Sequence, residues 1–232
     1  MRELNLFILK RFRLVILPCD EHGENHQLLD GIYQLYKRVW AKELKELDGQ
    51  EEIYSNDFLR HDSLCALLFD DKPVAFFCFS AINPASEIRR GDSWFHAWPE
   101  NIMKKLGQSY TYALMPQWFG VCPHFRKTNQ EIPINLAQVT TEVWAKIILE
   151  FGFEAGFGTT RNNRGVNKLV QSVGGQKITS SLDHGVEVDL FLMTPENIKN
   201  AQKNFSSAFF QLWEKREIYG KQNDKENSKR AS

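Results

Sequence analysis

The chain has 232 residues, and its 29 basic and 29 acidic side chains give a formal net charge of zero. This balance provides no net attraction to nucleic acid or to an anionic membrane surface, so neither is favoured as the main partner. The length suits one well-buried domain, which we expect to cover residues 1–219, followed by a disordered polar tail over residues 220–232.

The cysteine pattern and the N-terminal segment both favour a cytoplasmic protein. The 4 cysteines show no C-x-x-C spacing, and Cys65 and Cys78 fall inside apolar runs, which is typical of a reducing compartment. The apolar segment near the N terminus is interrupted by Lys10, Arg11 and Arg13. It therefore predicts neither a membrane span nor a cleaved signal peptide.

The first part of the chain predicts a strand, a helix and a hairpin. After an apolar strand near the N terminus, apolar residues recur at helical spacing from Leu28 to Leu47, which indicates an amphipathic helix. Two apolar runs over residues 63–69 and 73–82 flank the polar turn 70–72 and predict a β-hairpin. Both of its strands are expected to be buried on both faces.

The middle of the chain combines an irregular segment with a long strand. Residues 83–109 lack a clear period and are the best candidate for a lid or an insertion, in which Pro99 opens a short helix. The apolar run Tyr110–Val121 predicts a strand, and its Pro116 implies an irregularity there. A break in the ladder would leave backbone groups of this strand unpaired.

The last part of the chain predicts two helices around a strand, then a hairpin and a final helix. A helical stripe starts at Leu136 and ends at Gly152, and a short helix over residues 162–175 ends at two glycines. The hairpin turns at residues 183–185, and one helix runs from 195 to 213. This order predicts an α/β (α+β) fold with a mixed, mostly antiparallel sheet flanked by helices.

Two motifs resemble those of the GCN5-related N-acetyltransferase superfamily. The sequence VCPHFRK at residues 121–127 is similar to the Val-x-Pro-x-x-Arg that ends the family's fourth strand. The spacing from Asn163 to Gly175 resembles the family's Asn-x-x-Ala-x-x-x-Tyr-x-Lys-x-Gly-Phe helix. The resemblance extends from about Leu28 to Thr194 and implies the acyl-CoA N-acyltransferase fold.

The resemblance implies an enzyme that moves an acyl group from an acyl thioester to a primary amine by direct attack. The donor would be acetyl-CoA or another acyl-CoA. The diphosphate of the donor would lie at the N terminus of the helix that begins at Leu136, because a helix N terminus exposes free N–H groups. The pantetheine of the donor would lie along the predicted strand Tyr110–Val121, where the break in the ladder leaves backbone groups unpaired. Asn163 is expected both to cap its helix and to contact the donor. The residues expected to hold the donor are Val121, Phe125, Arg126, Lys127, Thr128, Asn129 and Asn163.

The predicted diphosphate loop departs from the family pattern. The family has glycines where this chain has Lys127, Asn129 and Glu131. Glycine lets the backbone approach a phosphate closely, and a glutamate facing inward would repel it. Acyl carrier protein therefore stays open as an alternative donor and partner.

The residue types that the family often uses for catalysis are absent from the matching positions of this chain. Val170 stands where the family often has a tyrosine, and the fourth strand has no acidic residue. An alkyl amine must lose a proton before it attacks, and the thiolate must gain one, so Tyr112 and Ser172 are the catalytic candidates. No metal is expected, because the 6 histidines include no H-E-x-x-H pair.

Acceptor binding and two alternative functions complete the predictions. The acceptor is expected to be a small-molecule amine in a pocket shaped by the first helix and residues 83–109, with Trp94 and Trp98 as lining candidates. One alternative is a non-catalytic binding or regulatory module with the same fold. Another is an unrelated mixed α/β binding domain, which a fourth and fifth strand that splay apart would argue against.

Overall fold

The computed structural model describes residues 7–49, 52–126, 132–183 and 185–220. In that part of the chain the strands form one eight-stranded sheet. The strands are β1 (Phe12–Pro18), β2 (Ser63–Phe69), β3 (Lys72–Ile82), β4 (Ala113–Val121), β5 (Ala155–Arg161), β6 (Gln176–Asp183), β7 (Val186–Met193) and β8 (Glu217–Ile218). Their spatial order is β6-β7-β5-β4-β3-β2-β1-β8.

The sheet is mixed and mostly antiparallel, as the element order predicts. Only β4 with β5 and β1 with β8 pair in parallel, whereas every other neighbouring pair is antiparallel. The helices within the described ranges are α1 (His26–Asp48), α2 (Ser55–Leu59), α3 (Glu87–Arg90), α4 (Glu100–Ser109), α5 (Leu136–Glu150), α6 (Val166–Ser172), α7 (Pro195–Gln202) and α8 (Ser207–Glu214).

The helices cover the sheet on two faces. Buried side chains of α1 and α4 pack on one face, which we call the α1 face. Those of α5, α7 and α8 pack on the other, which we call the α5 face. Because helices bury both sides of the central strands, β2 and β3 are apolar on both faces, which confirms the prediction for this hairpin.

Local sequence explains the hairpin turn and the ends of α7 and α8. Asp70 and Asp71 both have positive φ, 47° and 62°, as the turn of a two-residue hairpin requires.

The predicted single helix over residues 195–213 is wrong, because the chain divides it into α7 and α8. The Ser206 side chain accepts a hydrogen bond from the Phe209 N–H and so starts a new helix.

Two further expectations need correction. The predicted strand Tyr110–Val121 begins only at Ala113, and its irregularity lies at Trp118 instead of Pro116, which is paired with Phe79. Asn163 does not cap α6. It lies in a short 3-10 turn, and Gly165, with φ of 71°, is the residue that precedes α6, because the chain reverses there in a left-handed conformation.

Candidate active site

The central feature of the site is an opening between β4 and β5. The two strands pair only at Ala113 with Ala155 and at Leu114 with Gly156. Beyond these pairs β4 stays bonded to β3, and β5 stays bonded to β7, to the end of each strand. Since the outer neighbours hold both strands, the inner backbone edges splay apart and can bond an extended chain that carries amides.

A β-bulge in β4 lies beside this opening. Trp118 and Phe119 together oppose the single residue Phe77, and Trp118 has a positive φ of 53°. A bulky residue in this conformation is strained, and such strain is concentrated at functional sites. The bulge ends the regular ladder and turns the Trp118 side chain onto the α1 face, where it packs with α1.

The α5 helix packs closely beneath the opening. A Cβ atom on Gly158 of β5 would lie 3.1 Å from the Trp144 ring of α5 and 3.9 Å from Pro116 of β4. Glycine at this position therefore lets α5 approach the point where the two strands separate. On this side the opening is lined by Pro116 and the Trp144 indole.

The residues that follow β4 are held against the end of the strand and its neighbours. Val121 is buried and pairs with Ala75, and the Arg126 Nε donates to the Val121 carbonyl at 3.1 Å. This bond holds the otherwise exposed Arg126 side chain at the strand end. Phe125 is half-buried and packs edge to face on Phe69, with ring centroids 5.5 Å apart.

The predicted diphosphate cradle is only partly described. Lys127, Thr128 and Asn129 lie outside the described residues. At the start of α5 the Asn135 side chain accepts from the Gln138 N–H, so the cap already uses one of the first-turn donors. A surface cavity of about 280 Å³ lies beside this cap, so this end of α5 is accessible.

The remaining predicted site residues lie at different ends of the opening. Asn163 is exposed and follows the open end of β5. Tyr112 precedes β4 at the closed end, where it is 44% exposed and stacks on Phe153 at 4.6 Å. The Ser172 hydroxyl donates to the Leu169 carbonyl of its own helix at 2.7 Å. The described contacts therefore place neither catalytic candidate in the opening, and both roles stay predictions.

Four rings form an aromatic cluster on the α1 face, namely Tyr36, Trp40, Trp94 and Trp118. The Trp118 ring lies 5.1 Å from Tyr36, 5.0 Å from Trp40 and 5.1 Å from Trp94, edge to face in each case. The Trp118 indole N–H donates to the Asp57 carbonyl of α2 at 3.0 Å. The cluster thus joins α1, the segment 83–109 and the bulge of β4.

Buried polar atoms without a hydrogen-bond partner are concentrated around this cluster. Within the described ranges, 9 such side-chain atoms occur. Five of them belong to three rings of this cluster and to the neighbouring side chains His61 and Gln117, and a buried polar atom of this kind is costly unless ordered water or another molecule pairs with it. These five are the Tyr36 hydroxyl, the Trp40 and Trp94 indole nitrogens, the His61 Nε2 and the Gln117 Oε1.

Burial keeps His61 uncharged at neutral pH, and it moves the pKa of Tyr36, which is neutral there in any case, further upward. Burial, and to a smaller extent the neighbouring Arg60 guanidinium, lower the pKa of the His61 imidazole to about 3. Burial, with a smaller effect of the Asp57 carboxylate, raises the pKa of the Tyr36 hydroxyl. Tyr36 therefore offers a donor, and the partnerless His61 Nε2 offers a neutral acceptor.

The end of β5 contacts α1 at the rim of the cluster. The Arg161 guanidinium carbon lies 5.9 Å from the centre of the Trp40 ring. Arg164 forms an ion pair with Glu43, which is only 9% exposed. Trp98, from the segment 83–109, donates its indole N–H to the Thr159 hydroxyl of β5 at 2.9 Å. The predicted lid segment is therefore attached to the same strand.

Sequence reasoning missed three of these residues. Tyr36 belongs to the apolar stripe of α1 and is typical of a core residue, and His61 lies in a short connection without a motif. Gln117 carried a usable signal, because it is the only polar side chain in the strand ALMPQWFGV and is 5% exposed. An isolated polar residue inside an apolar strand indicates a specific partner.

The sequence matches no family model and no curated protein, but solved structures share its fold. FeeM, an N-acyl amino acid synthase from uncultured soil microbes, is 12% identical with a TM-score of 0.58, over 82% of this chain and 94% of that one. The CoA-dependent acyl-homoserine lactone synthase BjaI is 9% identical with a TM-score of 0.59, over 95% and 100%. A polyamine N-acetyltransferase from Drosophila melanogaster is 17% identical with a TM-score of 0.54, over 78% and 99%.

These likenesses define the class of fold. The chain has the acyl-CoA N-acyltransferase fold, which confirms the resemblance to the GCN5-related superfamily at the level of architecture. At these identities the likeness establishes the fold alone, so the activity has to be argued from the site. The described helices include none that is both long and apolar enough to cross a membrane. Among the same residues no group of three or more His, Cys, Asp or Glu side chains is arranged to hold a metal.

Proposed function

We propose that this protein is an N-acyltransferase that moves an acyl group from an acyl-CoA to a small-molecule primary amine. The opening between β4 and β5 carries this proposal, because two strands held apart by their outer neighbours present the backbone edges that an extended pantetheine chain needs. By title the solved structures named above are an N-acyl amino acid synthase, a CoA-dependent acyl-homoserine lactone synthase and a polyamine N-acetyltransferase, which supports an acyl-transfer activity.

On this proposal the donor enters from the α5 face and its thioester reaches the α1 face. The diphosphate is assigned to Arg126, which is held at the end of β4, and to the N terminus of α5. Val121, Phe125 and Asn163 border the open end. Lys127, Thr128 and Asn129 keep their predicted role as donor-binding residues of the connecting loop.

The transfer is a single displacement. The amine nitrogen attacks the thioester carbonyl carbon, the N–C bond forms, the C–S bond breaks, and the proton lost by the amine ends on the departing sulfur. Gln117 is placed to help, because its Oε1 is buried next to the bulge without a partner and can accept a hydrogen bond from the amine N–H. An amide is not a base, so Gln117 orients the nucleophile, and Tyr112 and Ser172 remain the predicted proton carriers.

One observation favours a second candidate, a non-catalytic module that binds acyl thioesters. Val170, at the position of the family's frequent tyrosine, is 1% exposed and packs in the core. A valine side chain has no acidic proton that it could transfer to the leaving thiolate. Turnover separates the two candidates, since both predict donor binding.

Binding of the donor is the first test. The purified protein is titrated with coenzyme A, acetyl-CoA, a long-chain acyl-CoA and an acylated carrier protein, by calorimetry and by thermal shift. A ligand that binds only the native state raises the unfolding temperature, so saturable binding of a CoA thioester is expected to raise it. Release of free thiol on adding amines then supports the enzyme. Binding of the carrier protein alone would replace CoA as the donor, and no binding at all would contradict both candidates.

A further inference from the structure

We propose that Thr159 of β5 is a catalytic residue whose hydroxyl donates a hydrogen bond to the carbonyl oxygen of the donor thioester. Trp98 is then a positioning residue, because its indole N–H orients this hydroxyl. The role rests on the proposed function and adds to it a group that stabilises the negative charge on the carbonyl oxygen during the transfer.

Thr159 lies across the opening from Gln117. The last pair that the two parallel strands form is Leu114 with Gly156. Gln117 and Thr159 each follow that pair by three residues, and both strands stay in regular register with their outer neighbours to this point. The outer partners of both residues belong to the apolar clusters of the α1 face. Since directly opposed residues of a sheet point to the same face, both side chains point to the α1 face.

The opening is narrow at this point, because the strands have only just separated. Pro116 and Gly158 occupy the preceding position on each strand, and a Cβ atom on Gly158 would lie 3.9 Å from the Pro116 ring and 3.1 Å from the Trp144 ring of the α5 face. The paired part of the two strands lies directly behind them. An extended chain that enters along the two edges therefore ends beside Gln117 and Thr159, which brings the thioester of the donor to this pair.

The Thr159 hydroxyl has a hydrogen available for a ligand. Its oxygen accepts from the Trp98 indole N–H at 2.9 Å, and it donates to no acceptor among the described residues. Because the Trp98 hydrogen occupies one side of the oxygen, the hydroxyl hydrogen points elsewhere, and an accepted hydrogen bond also makes a hydroxyl a stronger donor. Trp98 is buried and lies 6.0 Å from the Phe157 ring between centroids, so its N–H is held in place.

A donor at this place acts on the charge that develops in the reaction. When the amine nitrogen adds to the thioester carbon, an electron pair of the C=O bond moves onto the oxygen. The Thr159 O–H donates to that oxygen and keeps its proton, and the electron pair returns to carbon as the C–S bond breaks. The neighbouring cluster is apolar, and there a fixed donor stabilises a negative charge more than it does in water.

The two edges of the opening thus hold different reacting groups. Gln117 on β4 is buried, and its partnerless Oε1 can accept from the amine N–H. Thr159 on β5 donates to the thioester oxygen. The nucleophile and the carbonyl group are therefore oriented from opposite sides of the bond that forms.

Infrared spectra of the bound donor test the contact without an acceptor. The probe is acetyl-CoA with an isotope label at the thioester carbonyl carbon, or lauroyl-CoA with the same label if acetyl-CoA does not bind. A hydrogen bond to the oxygen weakens the C=O bond. We therefore expect a lower stretching frequency in the parent protein and in Thr159→Ser, which keeps the hydroxyl, than in Thr159→Val, which keeps the shape and removes it.

Thiol release measures the catalytic role, with a panel of primary amines that includes agmatine, spermidine and L-phenylalanine. For the amine that is used best, Thr159→Val is expected to lower kcat about 100-fold with little change in donor affinity, and Thr159→Ser to stay close to the parent. Thr160→Val is the matched control, because the Thr160 hydroxyl bonds the Asp189 carbonyl on the other face of the same strand. It is expected to leave kcat unchanged.

Trp98→Phe tests the positioning role, because it keeps a ring and removes the indole N–H. We expect kcat to fall several-fold at unchanged donor affinity. Combined with Thr159→Val it should cause no further loss, because Trp98 acts through the hydroxyl that is already absent. A further loss in the double variant would show that Trp98 acts independently of Thr159 and would remove its positioning role.

The outcomes separate the role of Thr159 from the proposed function. Equal carbonyl frequencies in the parent and Thr159→Val, or an unchanged kcat in Thr159→Val while the parent releases thiol, overturn this role and leave the N-acyltransferase intact. A loss of donor affinity as large as the loss in kcat also overturns it, because the hydroxyl then serves binding alone. Donor binding without thiol release overturns the enzyme and the catalytic role together, and failure of every donor to bind overturns both proposals.

Discussion

Single residues in this protein show that a buried polar group can be satisfied within the fold or left without a hydrogen-bond partner. Glu142 of α5 is 1% exposed, and its carboxylate accepts from the backbone N–H and the hydroxyl of Ser206 and from the Gln138 side chain. Gln117 is also buried, with 5% of its surface exposed, yet its Oε1 has no hydrogen-bond partner among the described residues. A satisfied group of this kind links helices, whereas a partnerless one is costly unless something binds it.

Arg126→Ala is expected to weaken binding of the CoA donor several-fold, because a charge-assisted contact with the diphosphate is lost. Calorimetry with the preferred donor measures the change. Arg216→Ala removes a guanidinium that is paired with Glu150 at the opposite end of α5, and it serves as the control. If both variants bind the donor like the parent protein, Arg126 is not part of the site.

Glu142→Gln is expected to stabilise the protein relative to the parent as pH rises. Burial raises the pKa of the Glu142 carboxyl above its ordinary value of 4.5, in spite of three donors. A raised folded-state pKa means that stability is full below about 4.5 and is lost as pH rises through the folded-state value. Glutamine keeps the shape and carries no charge, so it avoids this loss.

Urea unfolding at pH 4 and pH 8 measures the difference for Glu142→Gln. Glu142→Ala is the companion variant, and it is expected to lose about 1–3 kcal/mol at both pH values because the Ser206 N–H is left without its acceptor. A stability difference between Glu142→Gln and the parent that does not grow with pH would contradict the assigned cause.

At the scale of elements, the segment between β3 and β4 decides what meets the opening. It contains α3, a 3-10 turn and α4, and it is attached to β5 through the Trp98 bond to Thr159 and to α2 through the Arg60 ion pair with Asp92. Its Trp94 completes the aromatic cluster. On the proposed function the segment belongs to the acceptor side of the site, and its role as a lid or insertion stays a prediction.

Replacing both Trp94 and Trp98 by alanine is expected to alter acceptor use and to spare donor binding. The two indoles line the α1 face, while the donor is assigned to the α5 face and the backbone edges. The measurements are KM for the preferred amine and calorimetry with the donor, at a temperature where circular dichroism shows the variant folded. Loss of donor binding with intact acceptor use would show that the segment has been assigned to the wrong side.

At the scale of the whole molecule, one sheet connects every described element. Apolar clusters on both faces include residues from the first strand to the last helices, and β8 returns to pair with β1. The single domain over residues 1–219 stays a prediction. The predicted tail lies beyond residue 220, outside the described residues.

The protein is expected to unfold in one cooperative transition, because no described boundary divides its core. Calorimetry tests this through the ratio of the calorimetric to the van't Hoff enthalpy, which should be close to one. Saturating donor should shift the whole transition upward without dividing it. Two separate transitions would show that the chain contains two units.

The sequence by itself determined the features that depend on near neighbours. Helical spacing predicted α1, and two apolar runs around a polar turn predicted the β2–β3 hairpin. These signals are local, because periodicity and turn chemistry act over a few residues. The division of the last helix at Ser206 was also locally encoded and was overlooked.

Only the tertiary structure decided which groups share the site. The opening exists because β3 and β7 hold β4 and β5 apart, which no single strand encodes. Tyr36, Trp94 and Gln117 come from α1, a loop and a strand that are far apart in the chain, and each has an ordinary pattern in its own segment. Whether a buried polar atom finds a partner depends on every element packed around it, so this property emerges only when the chain has folded.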